Sequence, residues 1–390
     1  MALTVMKILG ENMFRQLFCS QDMQDAYDID SQVKYEKQGD LKITKVEGGF
    51  IHPFISTDAS GSNLTAGVTN KKSVFVPESS TTTVVRHTLP LAVSEWFESP
   101  SMDPKTNSTK YIDEDVVFIG ALSGHYGHFI LEGLSRIWPF LCNDFIRLKA
   151  VYISENKNNK FLELFKFFGL NPDDLIEIDE VTQFRNILIP EPSIRLHDYY
   201  HLKYKDTIDK IKREIKPSSA KKVFFSKQLS RSGRAIGESY IQRVFFDNGY
   251  EVFYPEKMTL YETISVLKGC DEFVASSGTN FHNSIFLNDG VAGVCLNRSA
   301  HFHPIQTMIN RMRCLNISYI DVFIKSTPDS FGNAPCFVGV TKHLIRYFDF
   351  NSFSFSTRKF FWASVFRSLE YLWFKLYRAV YKLSRYILPK

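Results

Sequence analysis

The chain has no C-x-x-C pair, although it holds six cysteines: Cys19, Cys142, Cys270, Cys295, Cys314 and Cys336. They are scattered, and several sit in apolar, strand-like runs such as 291–296. Buried, reduced thiols are therefore expected rather than a disulfide framework. No basic stretch followed by a continuous apolar core opens the sequence, since Lys7 interrupts residues 1–9 and Gly10 and Glu11 follow. A secretory signal is not expected, and the cytoplasm is the expected compartment. No run of 18 or more predominantly apolar residues occurs, which argues against a spanning helix. The metalloprotease pattern H-E-x-x-H and the phosphate-loop pattern G-x-x-x-x-G-K-[ST] are both missing. Internal repeats and low-complexity tracts are missing too.

What is present is globular. The 390 residues suggest two or three domains at about 150 residues each. Hydrophobic residues make up 44% and charged residues 23%, values that exclude wholesale disorder, collagen and a multi-span membrane protein. The formal net charge of +5 is uneven. Residues 358–390 hold eight basic residues against one acid, Glu370, so they carry +7 and leave −2 for residues 1–357. A near-neutral body with a basic tail does not describe a nucleic-acid-coating surface.

Along the chain, residues 1–30 suggest a short helix. Residues 40–100 look β-rich, with strands expected at 41–46, 73–76 and 82–86. From about residue 115 strands and helices alternate. Strands are expected at 115–120, 150–154 and 186–189, with helices at 127–140, 160–168 and 201–215. A second block follows, with strands at 222–226, 251–254, 272–275, 291–296 and 317–323 separated by helices. This alternation predicts an α/β fold with two parallel sheets joined near 216–220. Open α/β sheets take ligands at the carboxyl ends of their strands.

Three clusters carry chemistry. The first is Ser123-Gly-His-Tyr-Gly-His-Phe-Ile-Leu-Glu-Gly-Leu-Ser-Arg136. His128, Glu132 and Arg136 are spaced i, i+4, i+8, so on a helix they fall on roughly one face. A His, a carboxylate and a guanidinium beside a glycine-bearing turn suit a general base with its supports. A surface helix with a capping His125 is the structural alternative. Zinc on His125 and His128 would need a third ligand that the sequence does not offer nearby. The second cluster, 224–238, supplies Ser226, Lys227, Arg231 and Arg234 in a loop after a strand. Such cations can hold a pyrophosphate. The third joins the strand 272–275 to a helix through Ser276-Ser-Gly-Thr-Asn-Phe-His-Asn283. Ser277, Gly278 and Thr279 suit a phosphate, and His282 and Asn283 suit a ribose or sugar hydroxyl.

In this order the clusters resemble glycosyltransferase family 61, the capsular-polysaccharide type, over roughly residues 115–300. Its first motif, an aromatic-flanked His followed by Glu and Arg, is matched by His128-Phe129, Glu132 and Arg136. Its second is matched by Ser226, Arg234 and Glu238, while Lys227 and Gly237 depart from it. Residues 250–267, with Pro255-Glu256, look like the segment that leads into the family's next helix. In the third motif Gly278 and Asn283 match, whereas Ser277 replaces the usual His and Thr279 the usual Ala. The resemblance implies a GT-B fold, two Rossmann-like domains facing across a cleft. It implies inverting, metal-independent transfer from a nucleotide-sugar donor, with no cofactor, to a glycan or lipid-linked glycan acceptor. Glu132 is then the expected base, with His128 as its alternative. The donor side is assigned to Ser226, Lys227, Arg231, Arg234, Ser277, Gly278, Thr279, His282 and Asn283. His125, Arg136, Glu238 and Glu256 are assigned to the acceptor or to support. A non-catalytic nucleotide- or carbohydrate-binding subunit of an assembly complex is the competing function.

The expected domains are 1–216, 217–340 and a C-terminal segment 341–390. On a helical wheel of 362–388, Arg367, Lys375, Arg378, Lys382 and Arg385 fall within about 80°. Val365, Leu369, Leu372, Leu376, Val380, Leu383 and Ile387 gather opposite, flanked by Trp362, Phe366, Trp373, Tyr377 and Tyr381. A basic face, an apolar face and an aromatic boundary predict a helix lying on an anionic membrane through residues 358–390. The alternative is packing on the protein's own body. The expected location is peripheral, on the inner face of a bacterial plasma membrane.

Overall fold

Strands whose apolar residues run without alternation must be covered on both faces. Val223, Phe224 and Phe225 form one such run, and Phe273, Val274 and Ala275 another. All six are fully buried, each phenylalanine contributing about 2 kcal/mol of apolar burial. The computed structural model describes residues 15–56, 64–80, 110–142, 145, 147–154, 161–230, 234–325 and 336–356, and some helical positions between 362 and 380.

Two compact units emerge, residues 34–214 and residues 1–33 with 215–390. The first 33 residues group with the second half of the chain. The cause is long-range pairing. The strand β1 (Arg15–Phe18) runs parallel to Asn316–Asp321, and the Ser20 N–H donates to the Asp321 carboxylate at 2.7 Å.

The unit 34–214 is built on β2 (Ile43–Glu47), β3 (Phe50–Ser56), β4 (Leu64–Thr69), β5 (Lys110–Leu122), β6 (Lys149–Ser154), β7 (Leu175–Glu177) and β8 (Thr182–Pro190). The sheet order is β4-β3-β8-β5-β6-β7, with β2 also paired to β8. β5 is parallel to β6 and β8, and β6 to β7. The early β-rich segment adds the antiparallel side, since β2 and β3 oppose β8. The strand expected at 73–76 reduces to a single bridge between Thr69 and Phe75. The strand expected at 82–86 lies outside the described residues.

The other unit holds β9 (Lys222–Phe225), β10 (Glu251–Phe253), β11 (Glu272–Ser276), β12 (Ala292–Asn297) and β13 (Asn316–Asp321). With β1 they form a six-stranded sheet of order β10-β9-β11-β12-β13-β1, parallel throughout. Counted from β9, the first five follow the order 2-1-3-4-5. The direction of strand addition therefore reverses between β9 and β11. Such a reversal opens a crevice at the carboxyl ends of the two strands, because the helices that follow them leave on opposite faces. One face of the sheet is sealed by Phe224, Val274, Phe245 from the helix Glu238–Asp247, and Leu344 and Phe348 from the helix Lys342–Phe350.

Candidate active site

In the unit 34–214, β5 delivers the chain to His125 and His128. The continuous helix expected over 127–140 is broken. An α turn at Tyr126–His128 gives way to a π turn at Phe129–Gly133, and a 3-10 turn follows at Trp138–Leu141. Pro139 has no N–H to continue a helix. The π turn adds a residue to the local repeat, a distortion often found at functional sites. It also rotates Arg136 off the expected stripe. Arg136 is buried and donates to the carbonyls of Glu78 at 2.8 Å, Ser80 at 2.6 Å and Pro190. Burial, and next the charge of Arg195, lower its pKa to about 10, so it remains a cation at neutral pH. Arg136 braces two backbone segments, the turn at 78–80 and the end of β8 at Pro190, and does not orient the His–Glu pair.

His128 and Glu132 do meet, one turn apart, with Nδ1 of the ring 2.5 Å from Oε2 of the carboxylate. An ionised carboxylate only accepts, so Nδ1 carries the proton and Nε2 is left as the acceptor atom of the ring. Among the described residues Nε2 of His128 has no hydrogen-bond partner. The exposed His125 ring lies 5.2 Å from that of His128, edge to face. Among the described residues no third metal-ligating side chain joins these two histidines. The acidic triplet Asp113-Glu114-Asp115 on β5 is matched by cations. Arg185 reaches Asp115 at 2.8 Å and Asp113 at 3.5 Å, and Lys149 reaches Glu114 at 2.9 Å.

The second cluster lies where strand addition reverses. Ser226 directly follows β9, and its hydroxyl donates to Glu238 Oε2 at 2.8 Å. The Lys227 N–H donates to the same oxygen at 2.7 Å, and Ser276, closing β11, donates to Oε1 at 2.9 Å. The Glu238 carboxylate thus ties the carboxyl ends of β9 and β11 together. Its burial raises its pKa, partly opposed by these three donors. Three further donors lie on the loop after β9. Among the described residues the Lys227 ammonium, Gln228 Nε2 and Arg234 Nε have no acceptor. Burial foremost, then the charge of Arg298, push the Lys227 pKa down to about 8. Glu256, half-buried beyond β10, has its pKa raised by burial.

Arg234 is placed by its neighbour Ala235–Ile236, a short strand parallel to Cys336–Phe337. Its Nη2 lies 3.4 Å from Glu370 Oε1. Gly237 begins the next helix at φ +95°, a left-handed value that glycine adopts without strain, and its N–H donates to Glu370 Oε2 at 2.9 Å. Arg231 lies outside the described residues.

In the third cluster the Ser277 N–H is already bonded to Leu296 O at 2.9 Å. Its hydroxyl accepts from the Arg298 N–H at 3.3 Å. Thr279–His282 is a single helical turn that continues as a 3-10 turn. The expected open helix start is therefore too short to act as a phosphate dipole. Asn283 is buried, and its amide donates to the carbonyls of Thr279 at 3.4 Å and Asn280 at 2.9 Å. His282 Nδ1 pairs with Gln306 Oε1 at 2.9 Å.

Residues 126–295 match the family model described as Glycosyltransferase 61. This region belongs to glycosyltransferase family 61. Among curated proteins no match to the chain is found.

The glycosyltransferase region contains the His128–Glu132 pair, the loop from Ser226 to Glu238 and the turn from Ser277 to Asn283. It stops at β12, just short of Arg298. Two residues near the reversal escaped the sequence reading, Gln228 and Arg298. Arg298 directly follows a parallel strand, as Lys227 nearly does. The rule that such positions face the crevice is the signal that points to it.

Proposed function

We propose that this glycosyltransferase is an inverting enzyme that moves a sugar from a nucleotide-sugar donor to a glycan or lipid-linked glycan acceptor. The product belongs to capsule-type or other cell-surface polysaccharide. The donor side rests on one observation, the three donors on the loop at the reversal of strand order that have no acceptor among the described residues. A diphosphate supplies acceptors to all three. In the reaction the bond between the sugar carbon and the phosphate oxygen breaks and its electron pair leaves on the diphosphate. Lys227 and Arg234 meet that charge without calling on a metal. The acceptor hydroxyl forms the new bond to the sugar carbon and passes its proton to His128 Nε2. Glu132 holds the ring in that tautomer and balances the imidazolium. Donor contact by Arg234 is tested by Arg234→Ala. Calorimetry should show nucleotide-sugar affinity falling roughly 10- to 100-fold, the worth of one charge-assisted hydrogen bond, with acceptor affinity little changed. Equal losses for donor and acceptor would remove Arg234 from the donor site.

The tail supports work at the inner face of a membrane. Its described positions between 362 and 380 are helical. On one side Glu370 binds Arg234 and Gly237, and Tyr371 packs against Phe337 at 4.8 Å. Largely opposite these contacts Leu369, Leu372, Leu376 and Val380 are each more than half exposed, with exposed Trp362, Phe366 and Trp373 flanking them. The apolar stripe thus points away from the body to which the helix docks, as an interfacial helix requires. Arg367, Arg378, Lys382 and Arg385 lie outside the described residues. No described helix is long and apolar enough to cross a membrane. Removal of residues 358–390 should move the protein from the membrane pellet to the supernatant, and unchanged sedimentation would reject the anchor.

A further inference from the structure

We propose that Arg298, outside the segment that matches the family, is a phosphate-binding residue that acts as a pair with Lys227 on the donor's diphosphate. The inference rests on the donor reading above.

Arg298 follows β12, and its backbone N–H fastens it to Ser277. It is buried, and its Nη1 lies 3.6 Å from Cys336 Sγ. The guanidinium sits over Gly278. A Cβ at that glycine would come within 3.1 Å of Arg298 Nη2, and Gly278 holds φ +90°, where other residues are strained. The glycine therefore makes room for the guanidinium as well as for the turn. Cys336 pairs in register with Ala235, next to Arg234, so Arg234, Arg298 and Lys227 converge on one corner of the sheet.

Lys227 and Arg298 repel each other. Four groups act on the Lys227 ammonium besides its burial: Arg298, which disfavours its charge, and Cys336, Glu238 and Glu256, which favour it. Glu238 is engaged by Ser226, Ser276 and the Lys227 N–H. A guanidinium does not give up its proton in this range, so Lys227 yields instead. A ligand with two adjacent negative charges would lie against both cations at once and favour the charged form of Lys227. A nucleoside diphosphate has that chemistry, and so has the diphosphate part of a nucleotide sugar.

The test is calorimetry on the full chain between pH 7 and pH 10, with inorganic pyrophosphate and with uridine and guanosine diphosphates as probes. Affinity should fall as the pH rises through about 8, where free Lys227 loses its charge. Arg298→Met should weaken binding at pH 7 by roughly 10- to 100-fold. It should also move the pH break to higher values, because Lys227 loses its like-charged neighbour. Arg298→Lys should leave the break in place and restore part of the affinity. A merely structural arginine would lower the melting temperature of Arg298→Met without moving the break. Binding by Arg298→Met with the wild-type affinity and the wild-type break overturns the inference and leaves the donor reading standing. If neither diphosphate nor pyrophosphate binds the wild type, both fall.

Discussion

Replacing His128 with glutamine is expected to slow sugar transfer by about 10²- to 10⁴-fold, the usual worth of a positioned general base. That corresponds to roughly 3–5 kcal/mol of lost transition-state stabilisation. The thermal melt should stay nearly intact, because the ring is partly exposed and among the described residues its side-chain hydrogen bond is to Glu132. Glu132→Gln should cost a comparable amount for a different reason. An amide can accept from Nδ1 through its oxygen, but it offers no charge to the imidazolium that forms as the acceptor hydroxyl gives up its proton. The two losses should not add, since the pair works as a unit. The double variant should run within a few-fold of the slower single one. Full transfer by either single variant, measured with the donor that calorimetry selects, would remove the pair from the chemistry.

The largest effect on stability is expected at Glu238. Glu238→Ala leaves the Ser226 hydroxyl, the Ser276 hydroxyl and the Lys227 N–H without their shared acceptor. Each orphaned buried donor costs about 1–3 kcal/mol, and the lost side-chain volume adds a cavity term. The removed charge was itself costly to bury, so the net loss should be roughly 2–4 kcal/mol. That is a fall of about 5–15 °C in melting temperature for a unit of this size. Glu238→Gln should lose much less, because its oxygen still accepts from Lys227 and both hydroxyls can turn.

The pH dependence at this position has a defined sign. Burial raises the Glu238 pKa in the fold, so the folded protein binds this proton more readily than the unfolded chain does. Its contribution to stability is complete below the pKa of an ordinary glutamate and declines as the pH rises through the raised value. The wild type should therefore gain on Glu238→Gln as the pH falls. Melting curves in which the two keep a constant separation across the acid range would show that Glu238 is not the titrating group.

Much of this was legible in the residues. The apolar runs at 222–225 and 272–276 and the helical segments between them announced an α/β fold, and the small or charged residues of the clusters do stand at strand ends. The i, i+4 spacing of His128 and Glu132 brought those two side chains together as expected. Arg136 did not follow, since an ideal helical wheel has no place for a π turn or for the interruption at Pro139. Asn283 matched a motif, but its amide is bonded within its own turn. The tail's amphipathic pattern was plain in the sequence. That its docked side is marked by Glu370 and Tyr371 depended on Arg234, Gly237 and Phe337, which lie far off in the chain.

By itself the sequence determined what short-range sterics and periodicity control: which segments become strands, which become helices, and which side chains lie one helical turn apart. Only the tertiary structure decided which strands are neighbours. Strand order is set by burying two faces of one sheet, and that burial joins segments with no local signal of each other. The reversal between β9 and β11, the carboxylate of Glu238 spanning it and the approach of Arg298 to Lys227 all arise there.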